Sequence, residues 1–267
     1  MSIPATHAAS PSAPPLLDVR GVSLSFKGVK AISDLSFSVA RGEICALIGP
    51  NGAGKSSLLN VLNGVYVADA GEVVFQGEHF RQIEPIDAAR RGIARTFQNN
   101  ALFRKMSTLD NVLTGLARHT RSGLLSQALR LPGARREEAR LREKAEAILD
   151  FLDLQAYRDF TVGSLAYGIQ KRIELARALV SSPTLLLLDE PLAGMNAREK
   201  AEMSAFVRDI NRDLGITVVL IEHDVGIVLS LSDHVVVLDY GRKIGDGAPD
   251  AVKSDAAVIS AYLGAVH

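Results

Sequence analysis

Three stretches of this chain are apolar without alternation: ICALIG at 44–49, LLLL at 185–188 and ITVVLI at 216–221. Short continuous runs separated by helical segments are what strands need when both of their faces are covered. They predict an α/β core built on a mostly parallel sheet. The pattern upstream is different. LLDVRGVSLSF, AISDLSFSVA and GEVVFQG alternate or run apolar between turn signals such as Lys27-Gly28 and Arg41-Gly42. They predict an N-terminal antiparallel β subdomain. Helical spacing marks KSSLLNVLNG up to Gly64, a helix at about 169–181 that stops before Pro183, and another at 197–214. Between about 104 and 160 alternation disappears. Charges at helical spacing replace it, as in RREEARLREKAEAILDFLDL. This predicts one domain over 16–264, with a helical lobe inserted at about 99–168. The first fifteen residues are rich in Ala, Pro and Ser and read as a flexible tail.

Composition narrows the classes. With 47% apolar residues in 267, the chain can bury a large core. Lys+Arg and Asp+Glu are 30 each, so overall charge gives no reason to expect nucleic acid. A single cysteine, Cys45, excludes a disulfide framework within the chain and reads as a small buried hydrophobe. No apolar run approaches the roughly 18 residues that span a bilayer, and the N-terminus lacks a basic segment followed by an apolar one. The expectation is a cytoplasmic protein that reaches a membrane through a partner. Residues 118–144 carry eight Lys/Arg against three Glu. Glu138 and Arg142 are four apart, and Leu141, Ala145, Ile148 and Leu149 share one helical face. A solvated helix of the lobe explains this stretch, with anionic lipid or a membrane protein as the alternative contact.

The sharpest chemistry lies in GPNGAGKS, which matches G-x-x-x-x-G-K-[ST] between a buried strand and a helix. That context predicts a P-loop NTPase. Backbone N–H groups of Gly49, Pro50 to Gly54 (proline excepted), Ser56 and Ser57 can curl around phosphates, helped by the helix N-terminus. The intervening loop residues are Asn51, Gly52 and Ala53. Lys55 supplies a charge to the β- and γ-phosphates, and the Ser56 hydroxyl can coordinate Mg²⁺. LLLLDEP ends a buried strand with two acids on the same rim. Asp189 is expected to hold Mg²⁺ through water, and Glu190 to orient or deprotonate an attacking water. Gln98, in RTFQNN, can reach the Mg²⁺ or that water, although a surface amide is the plainer reading. His223 ends the strand LIEHD at the same rim and can hydrogen-bond a γ-phosphate.

A second glycine turn, SLAYG at 164–168, also opens a helix. Ser164, Leu165, Ala166, Tyr167 and Gly168 cannot easily serve the same nucleotide within one chain, because the lobe intervenes. In a head-to-tail dimer the turn of one copy would cap the phosphate held by the other. An ordinary helix cap is the competing explanation. Phosphate loop, Gln98, LAYG, LLLLDEP and His223, in this order over about 17–264, resemble the ATP-binding subunit of an ABC transporter. The resemblance implies ATP and Mg²⁺ as ligands, a dimer that closes on ATP, and an aromatic stacked on adenine, for which Phe26 in LSFKG stands at the matching place. Where the family pattern has LSGGQ, this chain has LAYGI, without the serine hydroxyl and the glutamine amide. AGMN at 193–196 likewise replaces SALD.

LAYG, the segment RSGLLSQALRLPGARREEARLREKAEAIL and the ending VVLDYGRKIGDGAPDAVKSDAAVISAYLG are similar to branched-chain amino-acid importers, and more closely to the longer of that system's two ATP-binding subunits. This implies a second ATP-binding subunit, two transmembrane permease subunits, indirectly a periplasmic solute-binding protein, and a place on the cytoplasmic face of the membrane. Leu102, Phe103 and Met106 at the lobe boundary either help form the groove for a permease helix or belong to the lobe core. The competing functions are the ATPase of a lipid or lipopolysaccharide exporter, a soluble ABC-type ATPase and a small-molecule kinase. A kinase would leave LAYG and His223 unexplained.

Overall fold

The computed structural model describes residues 14–96, 102–117, 123, 126 and 131–262. Six strands form the central sheet: β3 (Ile44–Ile48), β6 (Ile93–Arg95), β7 (Leu185–Asp189), β8 (Thr217–Ile221), β9 (His234–Asp239) and β10 (Arg242–Gly247). Their order is β10-β9-β3-β8-β7-β6, with β9, β3, β8, β7 and β6 parallel and β10 antiparallel to β9. A separate antiparallel sheet has the order β2-β1-β4-β5, from β1 (Leu17–Phe26), β2 (Val29–Val39), β4 (Ala70–Phe75) and β5 (Glu78–Phe80).

The continuous apolar runs are explained by two cores. In β3, Ile44, Ala46 and Ile48 join the core on the helical side, while Cys45 and Leu47 join the core beneath the antiparallel sheet. In β7, Leu186 and Leu188 face the first core and Leu185 and Leu187 the second. Each strand therefore still alternates, but between two dry surfaces. The first core is closed by α3 (Thr108–Thr114), α4 (Pro132–Phe151), α5 (Tyr167–Leu179) and α6 (Ala197–Leu214). The second is closed by α1 (Lys55–Leu62) and α2 (Pro85–Arg90). Helices α7 (Val225–Leu231), α8 (Pro249–Lys253) and α9 (Ala256–Tyr262) complete the described chain.

The charged helix α4 behaves as its spacing predicts: Leu141, Ala145 and Leu149 are buried, and Ile148 is half-buried against them. Helix α6 begins at a capping box, in which Asn196 accepts from Glu199 N–H and the Glu199 carboxylate accepts from Asn196 N–H. It ends at Gly215 with φ +66°. Cys45 is buried and free. Among the described residues no helix is long and apolar enough to cross a membrane.

At the amino ends of the parallel strands, His234 sits between two carboxylates. Its Nε2 lies 2.6 Å from Asp246 Oδ1 and its Nδ1 3.4 Å from Glu43 Oε1. The Cys45 sulfur, then Glu43, then Asp246 stabilise the imidazolium against burial, and its pKa is pushed up to about 11 from 6.5. Folding therefore favours the charged form. The resulting stabilisation is complete below pH 6.5 and is lost as pH climbs through about 11. Thermal denaturation should show a midpoint falling between pH 7 and 10, and His234→Gln should flatten that fall. An unchanged slope in the variant would remove His234 as its source.

Candidate active site

Residues 49–57, Asp189, Glu190 and His223 lie at the carboxyl ends of β3, β7 and β8 or on the loop into α1. A cleft of about 800 Å³ opens there, lined by residues 51–57 together with Ala31, Glu190 and His223. The loop is held from outside by the β9–β10 hairpin, where Gly241 N–H donates to Ala53 O at 3.1 Å. Gly54, the residue before α1, has φ +97°, and a Cβ there would lie 2.4 Å from Ala31 O. Only glycine satisfies both the left-handed backbone and the close approach.

Lys55 is 6% exposed, and its ammonium donates to Gly49 O at 2.7 Å and Pro50 O at 3.0 Å. Two of its three donors hold the loop shape, and the third can serve an anion. Burial lowers its pKa, while the carboxylates of Glu190 and Asp189 act in the opposite sense. Asp189 is 2% exposed and divides its oxygens between two partners. Ser56 Oγ donates to Oδ1 at 3.4 Å, and Arg95 Nη2 donates to Oδ2 at 2.8 Å.

Glu190 adopts φ +52°, a left-handed conformation that costs a non-glycine residue on the order of 1 kcal/mol. That turn brings its Oε1 to 2.7 Å from His223 Nε2 at the mouth of the cleft. Glu222 is 4% exposed and ties the two segments together from behind. It accepts from Leu192 N–H at 2.8 Å and from His223 N–H at 3.3 Å. Burial pushes its pKa up. Sequence reading passed over Glu222, which follows the buried apolar strand β8, and Arg95, which ends a three-residue strand with no apolar run to mark it.

The other expected site residues lie apart from the cleft or outside the described chain. Gln98 falls outside the described residues. Phe26 is exposed and packs edge-to-face on Tyr66, ring centroids 5.0 Å apart, so that Tyr66 adds to an aromatic surface beside the hairpin that carries Ala31. Ser164, Leu165, Ala166, Tyr167 and Gly168 contribute nothing to the lining of the cleft in their own chain. Tyr167 is 43% exposed, and Ala166 caps α5 without a side-chain hydrogen bond. Gly168 has a reason of its own: a Cβ would lie 2.6 Å from Glu199 Oε1, within the carboxylate that caps α6.

The oxygen donors suit a hard cation. Ser56 Oγ lines the cleft and Asp189 Oδ1 lies 3.4 Å behind it, a neutral and an anionic oxygen together, and Mg²⁺ typically takes one or two protein oxygens with phosphates and water. Among the described residues no group of three or more His, Cys, Asp or Glu is placed to hold a metal ion.

The ABC transporter family matches residues 32–193, more than half of the chain. This chain belongs to the ATP-binding cassette family of ABC transporters. It is an ATPase of that family, and its ligand is a nucleotide. A second family, the branched-chain amino acid ATP-binding cassette transporters, matches residues 242–267. The chain is 37% identical to the high-affinity branched-chain amino acid transport ATP-binding protein BraF of Pseudomonas aeruginosa, over 94% of this chain and 98% of that one. It is 35% identical to LivG of Escherichia coli, with the same coverage. A nucleotide-free cassette from an ABC transporter superposes with TM-score 0.82 at 34% identity, covering 93% of this chain and 99% of that one. A cassette in its ADP conformation gives 0.82 at 33%, covering 94% and 100%. The P-loop fold expected from the sequence is thus the fold found.

Proposed function

We propose that this ATPase powers the import of branched-chain or other amino acids from the cytoplasmic face of the membrane, through two permease subunits and a second ATP-binding subunit, a copy of itself or a related chain. A periplasmic solute-binding protein would deliver the solute. The likeness to BraF and LivG along nearly the full length, together with the C-terminal match at 242–267, supports the solute class. The pairing of Glu190 with His223 at 2.7 Å, on the phosphate-loop cleft, carries the catalytic reading.

When bound, ATP supplies the scissile phosphoanhydride and Mg²⁺ the charge that neutralises its phosphate oxygens. The backbone of Gly49–Ser57 and the Lys55 ammonium bind the phosphates. Ser56 Oγ would hold the metal, Asp189 Oδ1 would hold it through water, and Gln98 would reach the metal or the attacking water. Glu190 would take the proton of the attacking water, and the single Nε2–H of His223, which meets Glu190 Oε1 here, would turn to the γ-phosphate when ATP is bound. Phe26, backed by Tyr66, offers an aromatic face to adenine. Residues 164–168 of the second subunit cap the γ-phosphate, with backbone N–H groups and the α5 N-terminus replacing the absent serine hydroxyl.

Leu102 is buried in the helical core, which accounts for it structurally, whereas Phe103 is 53% exposed on the same segment. Phe103 is therefore the residue of that segment offered to the permease. Phe103→Asp should leave the ATPase of the isolated chain within about twofold while abolishing its stimulation by permease. The governing experiment is ATP-driven solute flux in vesicles carrying the assembled complex. Leucine uptake supports the proposal. Efflux of a lipid would transfer the chain to the exporter reading, and no association with any permease would remove the transport role.

A further inference from the structure

A buried arginine is costly unless its charge and its donors are met. Arg95 closes β6, and its side chain is 5% exposed. It spans two other elements: Nη2 donates to Asp189 Oδ2 on β7 at 2.8 Å, and Nη1 donates to Asn60 Oδ1 on α1 at 2.6 Å. Asn60 stands on the helix that begins at Lys55 and Ser56. One guanidinium therefore joins the helix of the phosphate loop to the strand of the metal-binding acid.

The division of the Asp189 carboxylate gives this contact its meaning. The group is a two-fold rotor with little intrinsic preference about its last torsion. Arg95 holds Oδ2, which leaves Oδ1 toward Ser56 Oγ at 3.4 Å and toward the cleft that Ser56 lines. The planar fork of arginine fixes both a direction and a distance, which a lysine ammonium does not. We propose that Arg95 is a positioning residue for magnesium: by holding Asp189 Oδ2 and Asn60 together, it presents Asp189 Oδ1 and Ser56 Oγ to the metal as one preformed edge. This rests on the reading of Ser56 and Asp189 as the metal's partners.

A cation so close to a metal could instead compete with it, and the two effects have opposite signs. Lost positioning weakens the response to magnesium, whereas a lost competitor strengthens it. The test is equilibrium binding of ADP to the intact chain, with and without Mg²⁺, for wild type, Arg95→Lys, Arg95→Met and Asn60→Ala. Thermal melts on the same samples report folding. Wild type should bind more tightly with Mg²⁺. Arg95→Met should cut that magnesium-dependent gain about tenfold while metal-free affinity stays within about twofold. Arg95→Lys should recover part of it, and Asn60→Ala, which removes only the α1 anchor, should lose about two- to threefold. Should Arg95→Met fail to fold because Asp189 is left uncompensated, the lysine and Asn60 variants carry the comparison. A gain equal to wild type in the folded variants, or a larger one, overturns the proposal. A wild type without any magnesium-dependent gain would instead overturn the metal reading on which it rests.

Discussion

Glu190→Gln is expected to lower kcat for ATP hydrolysis by about 10²- to 10⁴-fold, the usual worth of a positioned proton acceptor. The substitution is nearly isosteric. The amide oxygen can still meet His223 Nε2, found 2.7 Å from Oε1, so the rim should keep its shape. What is lost is the capacity to take a proton from water. ATP should therefore still bind, and hydrolysis measured by phosphate release should nearly stop. Turnover close to wild type would move the proton acceptor elsewhere. The same variant tests the second glycine turn. Its solution mass with ATP and Mg²⁺, alone and mixed with a candidate partner ATPase, should double if residues 164–168 cap a nucleotide across an interface. Doubling only in the mixture would favour unlike subunits. A lasting monomer that binds ATP would leave Gly168 with the role visible in its own chain, room for the Glu199 carboxylate that caps α6.

Lys55→Ala should have the next largest effect, now on binding. The ammonium is almost fully buried, holds the carbonyls of Gly49 and Pro50, and carries a positive charge at the base of the cleft. A charge-assisted hydrogen bond contributes about 1.5–3 kcal/mol. Loss of one such bond to phosphate, together with slackening of the loop, predicts nucleotide affinity weaker by about 10- to 100-fold. Titration with a fluorescent nucleotide would read this directly. Affinity and turnover equal to wild type would show that the loop backbone alone binds the phosphates. Glu190→Gln and Lys55→Ala should thus separate: the first spares binding and stops chemistry, and the second weakens binding itself.

Much of the candidate site was legible because its loop residues are contiguous. Gly49–Ser56 declares itself by spacing, and its strand and helix follow from the apolar run before it and the helical run after it. Asp189, Glu190 and His223 were legible as polar groups at the ends of buried strands, since parallel strands present such ends on one rim. Helix α6 occupies the range that its pattern predicts, 197–214. Helix α5 starts at Tyr167, two residues earlier than expected, because Gln170 N–H already donates to Ala166 O at 3.0 Å. The segment 102–106 resisted assignment. Its apolar residues, without a periodic run, do not say which faces outward, and packing alone buries Leu102 while exposing Phe103.

By itself the sequence determined the layers of this protein, the phosphate loop and the acids and histidine at the strand ends, because each depends on residues adjacent in the chain. Only the tertiary structure decided how those pieces meet. Arg95 reaches Asp189 and Asn60, Glu222 clasps the segments of Leu192 and His223, and Tyr66 backs Phe26. These partners come from different strands, helices and loops. Their pairing depends on sheet order and on which face of each strand is turned to which core, and neither is written in local periodicity.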